Sequence, residues 1–115
     1  MLRAEPAQIN GSDLIESQSV ALGGSVTLYC PASGQPTPDI RWTRAGEELS
    51  PSLLSQSHHR VHVADAGRQL TLFNVHLVDA GSYTCTATNQ AGSDSKRFSV
   101  NVIGNSVPFT PPISF

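Results

Sequence analysis

Two cysteines, four histidines, nine acidic residues and seven lysines or arginines are the side chains of this 115-residue chain with the means to do chemistry. Cys30 and Cys85 stand 55 positions apart, so neither a CxxC redox pair nor a CxxC zinc knuckle is present. Two states remain open for them: a structural disulfide closing a long loop, or two reduced thiols buried as small apolar groups. The disulfide would be worth roughly 4 kcal/mol in the chain-entropy model and would need an oxidising compartment. A metal site would need three or four converging donors. On a strand, His58 and His62 share a side but lie roughly 13 Å apart, and His59 and His62 point to opposite faces. No metal site is therefore expected. Catalysis lacks its parts as well. No Gly-x-Ser-x-Gly elbow is present, and no pair of carboxylates converges. The expectation is a protein that is not an enzyme and holds no cofactor.

Asn10-Gly11-Ser12 is an N-x-S sequon, which marks Asn10 as a glycosylation acceptor if the chain is secreted. The first residues, MLRAEPAQINGSD, carry no apolar run and do not read as a signal peptide. A secreted origin would make the chain a piece of a longer protein. No apolar span approaches the roughly 20 residues needed to cross a membrane. The formal net charge of −2 lacks the basic excess that a nucleic-acid partner would select.

The elements that must position these residues are strands. SVTLYC alternates Val26, Leu28 and Cys30 against Ser25, Thr27 and Tyr29. DIRW sets Ile40 and Trp42 opposite Arg41. QLTLFNV sets Leu70 and Leu72 opposite Thr71 and Phe73. SYTCTATN turns Tyr83, Cys85 and Ala87 one way and its threonines the other. RFSVNV does the same with Phe98, Val100 and Val102. Between them lie the turn signals LGG, SGQPTPD, AGEE, DAGR and NQAGSD, the last a hairpin in which Gly92 is able to take a positive φ. No window sustains a helical period. Short alternating runs with turns every eight to twelve residues specify an all-β sandwich, here of seven to eight strands.

The inward sets gather Cys30, Trp42 and Cys85 into one core. A cysteine, a tryptophan and a second cysteine, with Tyr83 two positions before that second cysteine, form the signature of an immunoglobulin fold. Tyr83 is then expected to make a tyrosine corner, its ring in the core and its hydroxyl on nearby backbone. Gly81 would allow a tight approach of the connection entering that strand. Asp79 would bind turn amides or pair with a cation, with Arg60 as the candidate.

The chain resembles an immunoglobulin I-set domain from about Pro6 to Val102. The resemblance is carried by Gly34-x-Pro36-x-Pro38-x-Ile40-x-Trp42, by Leu70-x-Leu72-x-x-Val75, and by the run from Asp79-Ala80-Gly81 through Tyr83, Cys85, Ala87 and Asn89 to Ala91-Gly92. Within that family, Pro6-x-x-Ile9-x-Gly11, GRQLTLFNV and AGSDSKRFSVNV are similar to the tandem repeats of hemicentin-type extracellular matrix proteins. The resemblance implies two antiparallel sheets joined by a central Cys30–Cys85 disulfide. It divides the chain into an extension (1–5), a domain (6–103) and a proline-rich segment (104–115) that is either a linker or the start of a following repeat. TPPISF echoes the proline-then-isoleucine opening of the chain.

The function implied is a non-catalytic adhesion or spacer module of an extracellular matrix or cell-adhesion protein, such as a basement-membrane glycoprotein, working through protein contacts. Alternatives are a ligand-binding module of a cell-surface receptor and an intracellular sarcomeric spacer. Three surface features complete the expectation. One outer face is polar, and Arg41, Arg44, Lys96 and Arg97 would form a weak cationic patch for sulfated glycans. The other outer face would set Tyr29 and Phe73 side by side with His62 near them, as a partner contact. The tail VPFTPPISF carries apolar residues able to add a strand to an exposed edge.

Overall fold

The computed structural model describes residues 3–44, 47–49 and 61–104. Ten strands follow one another among them: β1 (Glu5–Ile9), β2 (Glu16–Ala21), β3 (Val26–Tyr29), β4 (Ala32–Gln35), β5 (Asp39–Arg44), β6 (Glu47–Glu48), β7 (Val61–Ala64), β8 (Gln69–Leu72), β9 (Gly81–Asn89) and β10 (Gly92–Ile103). They stack as two layers. One is a five-stranded sheet in the order β2-β10-β9-β5-β6. The other holds β3-β8-β7 with the pair β1-β4 continuing it.

The excess over the seven to eight expected strands has two local causes. β3 and β4 are one path interrupted at Pro31, which has no N–H to give to a ladder. There Ala32 donates its N–H to the Cys30 carbonyl at 2.8 Å. β1 and β2 are likewise halves of one first strand. β1 pairs antiparallel with β4, the chain turns between Asn10 and Ile15, and β2 continues on the other layer beside β10. Counted through both interruptions, the strands number eight.

The same crossover corrects the expectation of two wholly antiparallel sheets. β2 runs parallel to β10, with Phe98 opposite Glu16 and so on to Ile103 opposite Ala21. The first strand keeps its direction as it changes layer, and the strand it meets runs the same way. The other pairings are antiparallel, including the long β9–β10 hairpin and β5–β9.

Alternation places the core. Leu28, Trp42, Leu70, Leu72, Val75, Tyr83, Ala87, Phe98 and Val100 are buried between the layers, each large side chain contributing about 1.5–3 kcal/mol. Trp42 lies 5.4 Å from the Phe98 ring, centroid to centroid, and its indole N–H donates to the Gly67 carbonyl at 2.7 Å. The Cys30–Cys85 disulfide ties the end of β3 to β9, and so one layer to the other.

The chain enters and leaves at opposite poles. Glu5 faces Gln35 beside the β9–β10 hairpin, and β10 then runs its 12 residues, roughly 40 Å, to the far end. In that hairpin Asn89 pairs with Gly92 across two residues. Gly92 makes no use of its freedom to take a positive φ; it is a strand residue. Its lack of a side chain makes room instead, because a Cβ there would meet the Pro6 Cβ at 3.0 Å.

Candidate interaction site

The corner at Tyr83 is built from β9 and the 3-10 turn Leu77–Asp79 before it. The Tyr83 hydroxyl donates to the Asp79 carbonyl at 2.7 Å, and the ring is buried. The Asp79 carboxylate, 5% exposed, accepts the His76 N–H at 2.7 Å and lies 4.0 Å from the Arg44 guanidinium. Arg60 lies outside the described residues. Gly81 acts differently from the expected tight approach. A Cβ on it would meet nothing within 4 Å, but its φ of +140° belongs to glycine. Tyr83, Asp79 and Arg44 are thus held to one another and to the turn backbone.

The cationic patch is corrected at two positions. Arg44 follows Trp42 on the inward side of β5. Its guanidinium stacks 5.3 Å over the Tyr83 ring and donates to the Val78 carbonyl and, at 3.3 Å, to that of Ala80. Lys96 is 7% exposed, on the side of β10 that carries Phe98. Its ammonium sits 3.2 Å from Glu16 and 3.4 Å from the Gly11 carbonyl. Burial of a lysine is tolerated only with such partners. On the outer face Arg41 pairs with Asp39 at 3.0 Å. Arg97 is exposed on the same side of the sheet. Two arginines, one of them paired, remain of four cations.

The aromatic face is corrected in register. Val26 lies opposite Leu72 and Tyr29 opposite Gln69, so Phe73, just beyond β8, stands at the other end of the strand pair from Tyr29. Thr27 and Thr71 fill the interval, their hydroxyls 2.9 Å apart. Phe73 (42% exposed) instead meets His62 of β7, ring centroids 6.5 Å apart. Tyr29 is exposed on this face, away from Phe73.

A surface that periodicity did not single out lies at the exit pole. Leu22, Leu77, Val78 and Ile103 are exposed large apolar side chains. Leu22 donates its N–H to the Ile103 carbonyl at 2.9 Å. A Cβ on Gly104 would touch Leu77 at 3.4 Å. Three separate turns and strand ends thus bring apolar groups together where the chain leaves the sandwich. The available signal was a pair of adjacent apolar residues, Leu77-Val78, in a turn that has no core face to give them.

The sequon turn sits at the crossover. Asn10 and Gly11 form its centre, closed by the Ser12 N–H on the Ile9 carbonyl at 3.1 Å. Asp94 of β10 accepts the Ile9 N–H at 2.8 Å. Burial pushes the Asp94 carboxyl up, but hydrogen bonds from the Ile9 N–H, the Ser12 hydroxyl and the Ser95 N–H outweigh it and hold the group below the ordinary carboxylate value. Among the described residues no three His, Cys, Asp or Glu side chains gather as metal ligands. His58 and His59 lie outside the described residues. No helix among the described residues is long and apolar enough to cross a membrane.

A family model for the immunoglobulin I-set domain matches residues 12–102. Human hemicentin-1 is 36% identical over 97 residues, which is 84% of this chain and 2% of that protein. Mouse hemicentin-2 is 38% identical over 90 residues, 78% of this chain and 2% of that protein. Human WAP, Kazal, immunoglobulin, Kunitz and NTR domain-containing protein 2 is 36% identical over 101 residues, 87% of this chain and 17% of that protein. The chain thus spans a small part of each relative's length. Among solved structures, a pair of tandem titin immunoglobulin domains superposes with a TM-score of 0.74 at 28% identity, covering 90% of this chain and 50% of that one. Extracellular domains 3–5 of Drosophila OTK superpose with a TM-score of 0.75 at 26% identity, covering 88% of this chain and 33% of that one. With its inter-layer disulfide, its Trp42 core and its tyrosine corner, the chain belongs to the immunoglobulin I-set family.

Proposed function

We propose that this domain is a non-catalytic spacer and adhesion module of an extracellular multi-domain protein, a matrix repeat of the hemicentin kind. The observation that carries it is the parallel pairing of β2 with β10, from Glu16–Phe98 to Ala21–Ile103, in a body entered at one pole and left at the other. Tension applied at the two ends pulls these strands in opposite senses along their length. Their hydrogen bonds are then loaded together in shear rather than opened one after another. The apolar exit pole around Leu22, Leu77 and Ile103 supports the same reading. It adjoins the point where the chain continues, so a following domain on the same chain is the partner placed to cover it. The disulfide suits an oxidising compartment and disfavours the intracellular sarcomeric alternative.

A receptor module is the second reading, favoured by the exposed Phe73–His62 contact on the outer face. A sulfated-glycan contact has only Arg41 and Arg97 left to support it.

Single-molecule pulling on the chain by its ends tests the spacer reading. A distinct force peak is expected, with the span between Cys30 and Cys85 staying closed until reductant is added. Yielding without a peak would overturn the reading.

A further inference from the structure

We infer that Asn10 is an N-glycosylation site, presented on a turn that the rest of the fold holds rigid. The inference rests on the extracellular reading above. An acceptor asparagine must be reachable, its amide must be unengaged, and a hydroxyl residue must stand two positions on. Asn10 meets all three conditions. It is exposed, and among the described residues its side chain carries no hydrogen bond. Its backbone N–H is the part that is used, donating to the Pro31 carbonyl at 3.2 Å. Gly11 takes a φ of +78°, which closes the turn and brings Ser12 round beside it.

Two side chains of β10 pin this turn from beneath. Asp94 holds the Ile9 N–H and the Ser12 hydroxyl. Lys96 holds the Gly11 carbonyl, its ammonium so near that a Cβ on Gly11 would lie 3.0 Å from it. The Asn10 side chain is left exposed and, among the described residues, without a hydrogen bond. Transfer joins its amide nitrogen to the anomeric carbon of an oligosaccharide carried on a lipid diphosphate. The C–N bond forms as the C–O bond to the diphosphate breaks, the diphosphate leaves with the electron pair, and the amide gives up one proton.

The location gives the sugar a consequence. β1 is one edge of its layer and β2 the matching edge of the other, and the sequon turn is where the chain passes between them. An oligosaccharide there covers the lateral edge on which further strands would otherwise pair. It leaves the opposite edge, with β6 and β7, and the apolar exit pole open.

The test is to produce the full chain behind a signal peptide in a eukaryotic secretory host, alongside N10Q, S12A and S12T. Intact mass, thiol labelling and treatment with an amidase that cleaves N-glycans are the readouts. The expected result is one N-glycan on the parent and S12T proteins and none on N10Q or S12A. Amidase release should convert Asn10 to aspartate in the tryptic peptide. Secreted, oxidised parent protein without sugar would overturn this inference and leave the extracellular reading standing. Retained protein with Cys30 and Cys85 free would overturn both. A glycan persisting on N10Q would also overturn the assignment.

Discussion

The side-chain oxygen of Asn89 accepts the backbone N–H of Ala7 at 3.2 Å, across 82 positions of chain. The same oxygen takes the N–H groups of Ala91 and Gly92 at 3.0 and 3.1 Å, and its amide nitrogen donates to the carbonyls of Glu5 and Pro36 at 2.7 and 2.9 Å. One residue at the end of β9 therefore ties the first strand, the turn before β5 and the β9–β10 hairpin together. Asn89→Ala should cost roughly 1–3 kcal/mol, because several main-chain groups lose their partner at once. Hydrogen exchange at Ala7 should quicken by more than exchange in β9. Unchanged exchange at Ala7 would contradict the role given to Asn89.

Tyr83→Phe removes only the hydroxyl that reaches the Asp79 carbonyl. The buried ring stays, so the loss should be about 1 kcal/mol or more. That corresponds to a fall in Tm of about 4–8 °C per kcal/mol in a domain of this size. A Tm equal to that of the parent protein would show that the corner contributes nothing.

Gly81 and Gly92 make opposite demands. Gly81→Ala has space but an unfavourable φ, and should destabilise by roughly 1–3 kcal/mol. Gly92→Ala has an ordinary backbone and must instead displace the Pro6 ring, a shift that the first strand can share. Urea titration of both variants should rank Gly81→Ala as the more damaging, and the reverse order would refute the distinction.

Asp94 sets an acid limit on the sequon turn. Its carboxyl titrates below its unfolded value, so its contribution is complete above about pH 4. That contribution is lost as the pH falls through the lower folded value. Stability measured by urea titration should drop in that window. Asp94→Asn should be less stable at neutral pH and should show a shallower fall, whereas parallel curves for the two proteins would exclude this origin.

Opening the Cys30–Cys85 bond frees a loop of 55 positions in the unfolded chain. Cys30→Ala combined with Cys85→Ala should lose roughly 4 kcal/mol in the chain-entropy model. The measurement is the urea midpoint of the double variant against the oxidised parent protein. A difference well under 1 kcal/mol would mean that the core alone holds the layers.

The sequence by itself determined the apolar core. Alternation in β3, β5, β8, β9 and β10 names Leu28, Trp42, Leu70, Tyr83, Cys85 and Phe98 directly, because a strand sends successive side chains to opposite faces whatever lies beyond it. It also named the corner, since Tyr83 and Asp79 are four residues apart and their contact is local. Tertiary structure alone decided the rest. The crossover that makes β2 parallel to β10 depends on which strand lies beside residues 16–21 once both layers have formed. Register, which side-chain period does not fix over long separations, parted Tyr29 from Phe73 and joined Phe73 to His62. Lys96 and Arg44 read as surface cations until Glu16, the Gly11 carbonyl and the Tyr83 ring were brought against them by segments distant in sequence. The apolar exit pole is of the same kind. Leu22, Leu77 and Ile103 belong to three separate stretches, and only the folded chain makes one surface of them.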